Sequence, residues 1–142
     1  MNRYFAMLVG GCLGGCEPFA GAPTVPAAGT QFDGSYVGQD TLLSGVAFQC
    51  GETTLPVRIE VRNGRFAYPF QVSPPRVAPL PVQIAADGTL SGQMQYGTGE
   101  DRPRLSSFVA DWVTLRGRIL GPTLDATITT LRCVRRLTAQ RN

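Results

Sequence analysis

The chain of 142 residues contains no histidine, and all thirteen of its basic residues are arginine. The absence of histidine excludes Ser-His-Asp and Cys-His catalysis, His-ligated zinc and imidazole-based pH switching. Lysine is also absent, and the net charge of +3 is small. Nucleic-acid binding calls for a much denser basic surface. We therefore expect a non-enzymatic protein with no cofactor, no metal site and no nucleic-acid partner.

Long hydrophobic runs are lacking too. The apolar residues 4–13 follow the positive start Met1-Asn2-Arg3, are too short to span a bilayer, and are typical of a secretion signal. The signal ends in Leu13-Gly14-Gly15-Cys16, which resembles the bacterial lipobox, where the cysteine is lipidated and becomes the first residue. This resemblance implies a signal peptide over 1–15 and a lipid on Cys16. An earlier site at Cys12 would leave too short an apolar run, and secretion without a lipid is the alternative.

Residues 16–31 are rich in Pro, Ala and Gly and predict a tether, which places the folded β domain at 32–142. With Cys12 in the signal and Cys16 on the lipid, two cysteines remain. In an oxidising compartment Cys50 and Cys133 most simply pair as a disulfide. We expect an exported periplasmic protein that is held to a membrane by its lipid, or else a soluble secreted one.

The best-defined element is VRIEVRNGRFAYPF, residues 57–70. Its Asn63-Gly64 pair supplies the two positive-φ residues of a type I′ turn. We predict a hairpin paired along its whole length, with Val61 opposite Phe66, Ile59 opposite Tyr68 and Val57 opposite Phe70. One face is then apolar, and the other carries Arg58, Glu60, Arg62 and Arg65.

Further strands follow from alternation and turn chemistry. A strand is predicted at 35–43, followed by a loop at 44–56, and a second hairpin at 80–96 has a three-residue turn with Gly88 as its left-handed residue. A third hairpin spans about 112–130. The five prolines in 69–81 predict a polyproline-like connection instead of a central strand. Residues 97–107 predict an exposed loop, and 131–137 predict a final strand, although a helical stripe also fits.

These elements add up to an all-β domain, a single antiparallel meander of seven or eight strands that closes into a small barrel or compact sandwich. The phrases FDGSYVG, VRNGRF, IAADGTLSG and LRGRILGPTLDATI resemble the strand and turn grammar of small exported β-meander lipoproteins of Gram-negative bacteria. The resemblance implies a fold and a location but no particular activity.

The candidate binding residues are Arg58, Arg62 and Arg65 on the outer face of the first hairpin. Arg62 lies directly opposite Arg65, an unfavourable like-charge pair whose retention suggests an anionic envelope component or another envelope protein as partner. Glu60 lies between Arg58 and Arg62 and is expected to neutralise part of this charge. A solvated face that protects a strand edge is the simpler interpretation.

Two other sets of residues bear on function. A close pair of carboxylates among Asp40, Asp111 and Asp125 would allow glycoside cleavage, but we expect none of them to point inward. The aromatics are expected to fill the core; the alternative is that they line a ligand cavity: Tyr36, Phe66, Tyr68, Phe70, Tyr96 and Trp112. The expected function is binding or envelope structure, and the alternatives are a lipocalin- or avidin-like carrier of a small apolar ligand and a barrel-type protease inhibitor.

Overall fold

A computed structural model describes residues 26–73, 76–97 and 110–142. Within these ranges it confirms an all-β fold built from one antiparallel meander of eight strands, with a single helix of four residues. The predicted loop at 97–107 lies almost entirely outside the described residues. The elements in chain order are β1 Gly34–Ser44, α1 Ala47–Cys50, β2 Thr54–Val61, β3 Arg65–Ser73, β4 Arg76–Ile84, β5 Thr89–Gly97, β6 Ala110–Leu120, β7 Thr123–Thr129 and β8 Val134–Arg141.

The strands form a nearly closed barrel. Their order in the sheet is β2-β1-β8-β7-β6-β5-β4-β3, so each strand pairs with its chain neighbours except between β2 and β3, and β1 pairs with β8. The barrel has two ends of different construction. The turn end carries the tight turns at 62–65, 85–89 and 120–123, and the disulfide end carries α1 and the loop at 130–133.

Two of the three predicted hairpins have the predicted register. In the β4–β5 hairpin Ile84 pairs with Leu90, and the turn uses Gly88 at φ 86°. The β6–β7 hairpin pairs Ile119 with Leu124 and continues in the expected register. The last predicted strand, at 131–137, is confirmed as a strand, but β8 begins three residues later, at Val134. Its pairing with both β1 and β7 removes the helical alternative.

The predicted pairing of the first hairpin is wrong beyond its turn. Arg62 and Arg65 exchange two backbone hydrogen bonds of 2.9 and 3.1 Å around Asn63-Gly64, but the described strands form no ladder further from the turn. Val57, Ile59 and Val61 belong to the ladder that β2 forms with β1. Phe66, Tyr68 and Phe70 belong to the ladder that β3 forms with β4. The turn is therefore a corner of the barrel at which its open seam begins.

Proline positions explain this seam. The Arg62–Arg65 bonds fix the direction of the backbone groups, which alternate along each strand, so every second residue from Arg62 and Arg65 faces the seam. Pro56 in β2 and Pro69 in β3 are both at seam-facing positions. A proline has no N–H to donate, so the ladder that would join Arg58 to Pro69, and Pro56 to Gln71, cannot form completely.

The interpretation of residues 69–81 as a polyproline-like connection is wrong. Residues 69–73 belong to β3 and residues 76–81 to β4, and these two strands pair from Arg65↔Gln83 to Ser73↔Arg76. By the same alternation, Pro79 and Pro81 direct their nitrogens toward β5, and the β4–β5 ladder ends at Val82↔Gly92. The β3–β4 ribbon thus satisfies its internal hydrogen bonds while prolines terminate pairing on both of its sides.

The interior is a single cluster of buried side chains to which all eight strands contribute. The face assignments made from alternation are confirmed, since the inward residues of β2 and β3 are all at most 7% exposed. Ten large side chains in the cluster are less than 2% exposed: Tyr36, Ile59, Leu80, Ile84, Leu90, Leu115, Ile119, Leu124, Ile128 and Leu137.

The chain enters the barrel at its turn end. Ala28 donates a backbone hydrogen bond to Ile84, and Ala86 donates one to Pro26, so residues 26–28 lie beside the β4–β5 turn. These residues fall within the range predicted as tether. Asp33 then accepts hydrogen bonds from the N–H groups of Asn63 and Gly64 at 2.9 and 3.3 Å, which fixes the corner turn to the start of β1.

Candidate binding surface and buried polar cluster

Of the three predicted binding arginines, Arg58 lies within β2, whereas Arg62 and Arg65 flank the turn, and they differ in their partners. Arg58 donates from Nε to Glu60 at 3.0 Å, so its charge is compensated on the surface. Arg62 and Arg65 are joined by their backbones and expose both side chains. The like-charge pair predicted from the sequence is therefore present, and neither guanidinium has an ion pair among the described residues.

Other charges at this end modify the field of the pair. The Asp33 carboxylate sits under the turn, held by two backbone N–H groups. Arg141 donates to the carbonyl oxygens of Gln31 and Asp33 at 3.1 and 2.7 Å and lies 5.6 Å from the centre of the Tyr36 ring. The turn end therefore carries Arg62, Arg65 and Arg141 together with the carboxylates of Asp33 and Asp87. We refer to Arg62 and Arg65 below as the basic corner.

A second polar group lies inside the barrel near the disulfide end. Asp40 is 1% exposed, which overturns the expectation that no carboxylate points inward. Its Oδ1 accepts a 2.7 Å hydrogen bond from Arg135 Nε, and its Oδ2 accepts one from the Tyr68 hydroxyl. Charged side chains are tolerated in an apolar interior only when they are paired and hydrogen-bonded, as Asp40 and Arg135 are here.

Arg135 also fixes the backbone of the loop between β1 and β2. Its terminal nitrogens donate to the carbonyl oxygens of Cys50 and Glu52 at 2.9 and 2.8 Å. This side chain is only 6% exposed. Burial raises the pKa of Tyr68 well above its ordinary value, and the neighbouring Asp40 carboxylate raises it further. Tyr68 accordingly keeps its proton and serves as a donor to Asp40.

The predicted disulfide is confirmed in position. Cys50 and Cys133 form a bond with a Cα–Cα distance of 5.7 Å, across 83 positions of sequence. It joins the loop after β1 to the loop before β8. Because β1 pairs with β8, the bond and the Arg135 contacts fasten the same pair of neighbouring elements.

Asp111 and Tyr96 form a separate contact at the disulfide end. The Tyr96 hydroxyl donates to Asp111 Oδ2 at 3.0 Å, and the Tyr96 ring packs edge-on against Phe70 with centroids 5.0 Å apart. Burial, followed by the bond to Asp111, raises the pKa of Tyr96 to about 12. Asp111 and Asp40 are thus held by different tyrosines. Asp125 lies outside, paired with Arg136 at 2.7 Å.

The aromatic set divides between the two faces. Tyr36, Phe66, Tyr68 and Phe70 are buried, and Tyr96 packs against them. Trp112 is different, because it lies on the outer face of β6 and is 48% exposed. It cannot line an internal cavity as the carrier hypothesis supposed.

The chain matches no family model, no curated protein and no solved structure with which it was compared. Across residues 26–73, 76–97 and 110–142 no helix is long and apolar enough to cross a membrane. Within the same ranges, no three side chains of the His, Cys, Asp or Glu type come together as metal ligands. The predicted lipidation site, Cys16, lies outside the described residues.

Proposed function

We propose that this chain is a non-enzymatic lipoprotein of the bacterial envelope, exported to the periplasm, whose β domain binds an anionic envelope component through the basic corner. The observation that carries the proposal is the pairing of Arg62 with Arg65. Two adjacent guanidiniums repel each other, and their backbones are locked side by side by the turn. A phosphate or carboxylate bound between them would relieve this repulsion and accept several charge-assisted hydrogen bonds.

The state of the interior supports surface binding over a carrier role. Large apolar side chains from every strand occupy the barrel, as is usual when eight strands close. The inward-pointing polar side chains of the buried cluster already bind one another, since Asp40 accepts hydrogen bonds from both Arg135 and Tyr68. This leaves the outer surface as the place for a partner.

The position of the basic corner also fits a lipid anchor. Residues 26–28 contact the barrel at the turn end, and the modified residue would be Cys16, ten positions before Pro26. A lipid on Cys16 would hold the domain close to a bilayer, where phosphate groups of lipid A or of anionic phospholipids are concentrated. Each arginine near such a surface contributes about 1 kcal/mol.

The test compares two double variants of the full chain on vesicles of phosphatidylglycerol, of lipid A mixed with phosphatidylcholine, and of phosphatidylcholine alone. The Arg62→Ala/Arg65→Ala variant should weaken binding to either anionic surface by about tenfold or more. The Arg116→Ala/Arg118→Ala variant loses the same charge from the exposed outer face of β6 and is the matched control. Equal losses in the two variants, or no preference for anionic vesicles, would contradict a specific role for the basic corner.

A further inference from the structure

Four large apolar side chains are exposed at the part of the disulfide end formed by α1, the end of β1 and the loop before β8. Phe48 is 97% exposed, Leu131 is 77%, Val46 is 63% and Leu43 is 58%. Leu43 is the second-last residue of β1, Val46 and Phe48 lie in the segment that follows β1, and Leu131 belongs to the loop before β8. We call these four residues the apolar tip. Single exposed hydrophobics are ordinary on a protein surface, but a group of this kind marks an interaction site.

The two loops that carry the apolar tip are in contact. A Cβ atom on Gly45 would lie 2.7 Å from the carbonyl oxygen of Arg132, so Val46 and Leu131 are each one residue away from a close backbone approach. Leu43 lies at a β-bulge of β1. The β1–β8 register shifts between Leu42 and Ser44, which leaves Leu43 without a partner in the ladder.

Covalent and hydrogen-bonded contacts restrain the backbone of this loop, although none of the side chains of α1 is buried. The Cys50–Cys133 disulfide and two hydrogen bonds from Arg135 hold its backbone. The partner loop is fixed as well, because the Thr130 hydroxyl accepts a 3.0 Å hydrogen bond from the N–H of Cys133. These restraints therefore do not serve to bury the apolar side chains; they hold them rigidly in solvent.

The charge pattern around the tip favours a neutral, apolar partner. Residues 42–51, which include three of the four tip residues, contain no charged side chain. Arg132 follows Leu131 directly and is exposed, so the one charge next to the tip is free to face solvent. Rigid presentation lowers the entropy that any binding event must overcome.

We propose that the apolar tip inserts into the interfacial region of a phospholipid bilayer. A specific protein interface needs about 20 to 30 residues a side, far more than four side chains on two loops can provide. A bilayer requires no complementary shape and accepts apolar side chains at a depth of about 5–10 Å. The inference does not depend on the basic corner, because the two surfaces are at opposite ends of the barrel and use different chemistry.

Either end of the domain can reach an anchoring membrane. Cys16 lies ten positions before Pro26, and the chain between them spans at most about 36 Å when extended. This is about the length of the 11-residue β1. A lipid on Cys16 therefore restricts the domain to the membrane without deciding which end touches it.

The test measures where each end lies relative to the lipid chains, using the full chain with Trp112→Phe as the common background. A single tryptophan is introduced by Phe48→Trp at the tip or by Leu120→Trp at the turn end, where Leu120 is 64% exposed. Both proteins are mixed with neutral vesicles of phosphatidylcholine brominated on its acyl chains. Insertion predicts fluorescence quenching at least about twofold stronger for Phe48→Trp than for Leu120→Trp. Because quenching is local, binding through the N-terminal segment does not imitate the result.

A second pair of variants tests the contribution of the side chains. Phe48→Ser/Leu131→Ser should reduce the fraction of protein bound to neutral vesicles, whereas Leu120→Ser should not. Equal or weaker quenching at the tip overturns the inference, even if the protein is vesicle-bound. Dimerisation that depends on concentration and is lost in Phe48→Ser/Leu131→Ser, without quenching, would replace the bilayer by a second copy of the chain. Neither result affects the basic corner, whose test uses the difference between anionic and neutral vesicles.

Discussion

Asp40 and Arg135, which are 95 positions apart, meet inside the barrel, where the guanidinium Nε donates to the carboxylate at 2.7 Å. The pair joins β1 to β8, and Tyr68 extends it across the barrel to β3. It is also the contact through which the core holds the exposed loop of the disulfide end. Its effect on stability should therefore exceed that of any surface ion pair of this chain described above.

Replacing Arg135 by Met should lower the free energy of unfolding by about 3–5 kcal/mol, because Asp40 would remain buried without its counter-ion. Arg136→Met is the matched control. Arg136 is the next residue and binds Asp125 at the same distance, but with both side chains about half exposed, so its loss should cost about 1 kcal/mol or less. Urea denaturation measures both values, and similar losses in the two variants would contradict a special role for the buried pair.

Sequence reasoning predicted which side chains point inward better than which strands pair. Burial follows from alternation and turn residues, which are local, so the faces of β2 and β3 were predictable. Pairing depends on every backbone group along the ladder. The sequence does indicate the open seam, because Pro56 and Pro69 occupy hydrogen-bonding positions of the hairpin register. Because a proline has no N–H, two donors are missing in that register and the ladder cannot be completed.

The buried ion pair was hidden for a different reason. Alternation places Asp40 on the same face as Tyr36, and Arg135 on the same face as Leu137, but each residue alone is more often exposed. Only the pairing of β1 with β8 makes the two charges partners, and that contact is non-local. The pairing of Arg62 with Arg65 was predictable because only one turn separates the two residues. The apolar tip was missed, although the uncharged segment 42–51 beside Cys50 was a usable signal.

The pH dependence of stability above neutrality should depend on Tyr68. Burial and Asp40 hold the pKa of Tyr68 above its ordinary value of 10, so the folded state keeps a proton that the unfolded state releases. The contribution of Tyr68 to the free energy of unfolding is then fully present below pH 10 and declines as the pH rises further. Urea midpoints between about pH 9 and about pH 11 should fall less steeply in Tyr68→Phe than in the parent chain. Parallel curves would contradict this assignment, whatever the stability of the variant at neutral pH.

Removing the disulfide by Cys50→Ser/Cys133→Ser should reduce stability by up to about 4 kcal/mol, since the bond closes a loop of 83 positions. It should also increase hydrogen exchange in residues 44–53, the segment that the bond and Arg135 restrain together. Non-reducing peptide mapping of the parent chain must first recover the two cysteines in one linked pair. Two free thiols, or a variant with unchanged exchange in this segment, would contradict the proposed restraint.

The proposed lipid anchor predicts a defined mature chain. Mass spectrometry of the membrane fraction should find a protein that begins at an acylated Cys16. Cys16→Ser should move the protein to the soluble fraction, while Cys12→Ser, which changes the earlier candidate site, should leave it at the membrane. A soluble parent protein that begins downstream of residue 16 would contradict the anchor and leave the fold unaffected.

The corner turn should tolerate a change at Asn63 but not at Gly64. Both residues have positive φ, 53° for Asn63 and 67° for Gly64. A branched side chain at Gly64 is strained in this conformation, and its Cβ would lie 3.2 Å from the carbonyl oxygen of Gly29. Gly64→Val should therefore destabilise the protein by more than about 1 kcal/mol.

Asn63→Gly keeps the backbone N–H that binds Asp33 and permits the same φ, so its effect should be within about 0.5–1 kcal/mol. Thermal or urea unfolding of the two variants measures the difference. The comparison also bears on function, because the same backbone holds Arg62 beside Arg65. If Gly64→Val disturbs the turn as expected, it should weaken binding to phosphatidylglycerol vesicles although neither arginine has been changed. Full binding by a destabilised Gly64→Val protein would show that the two guanidiniums act independently of their spacing.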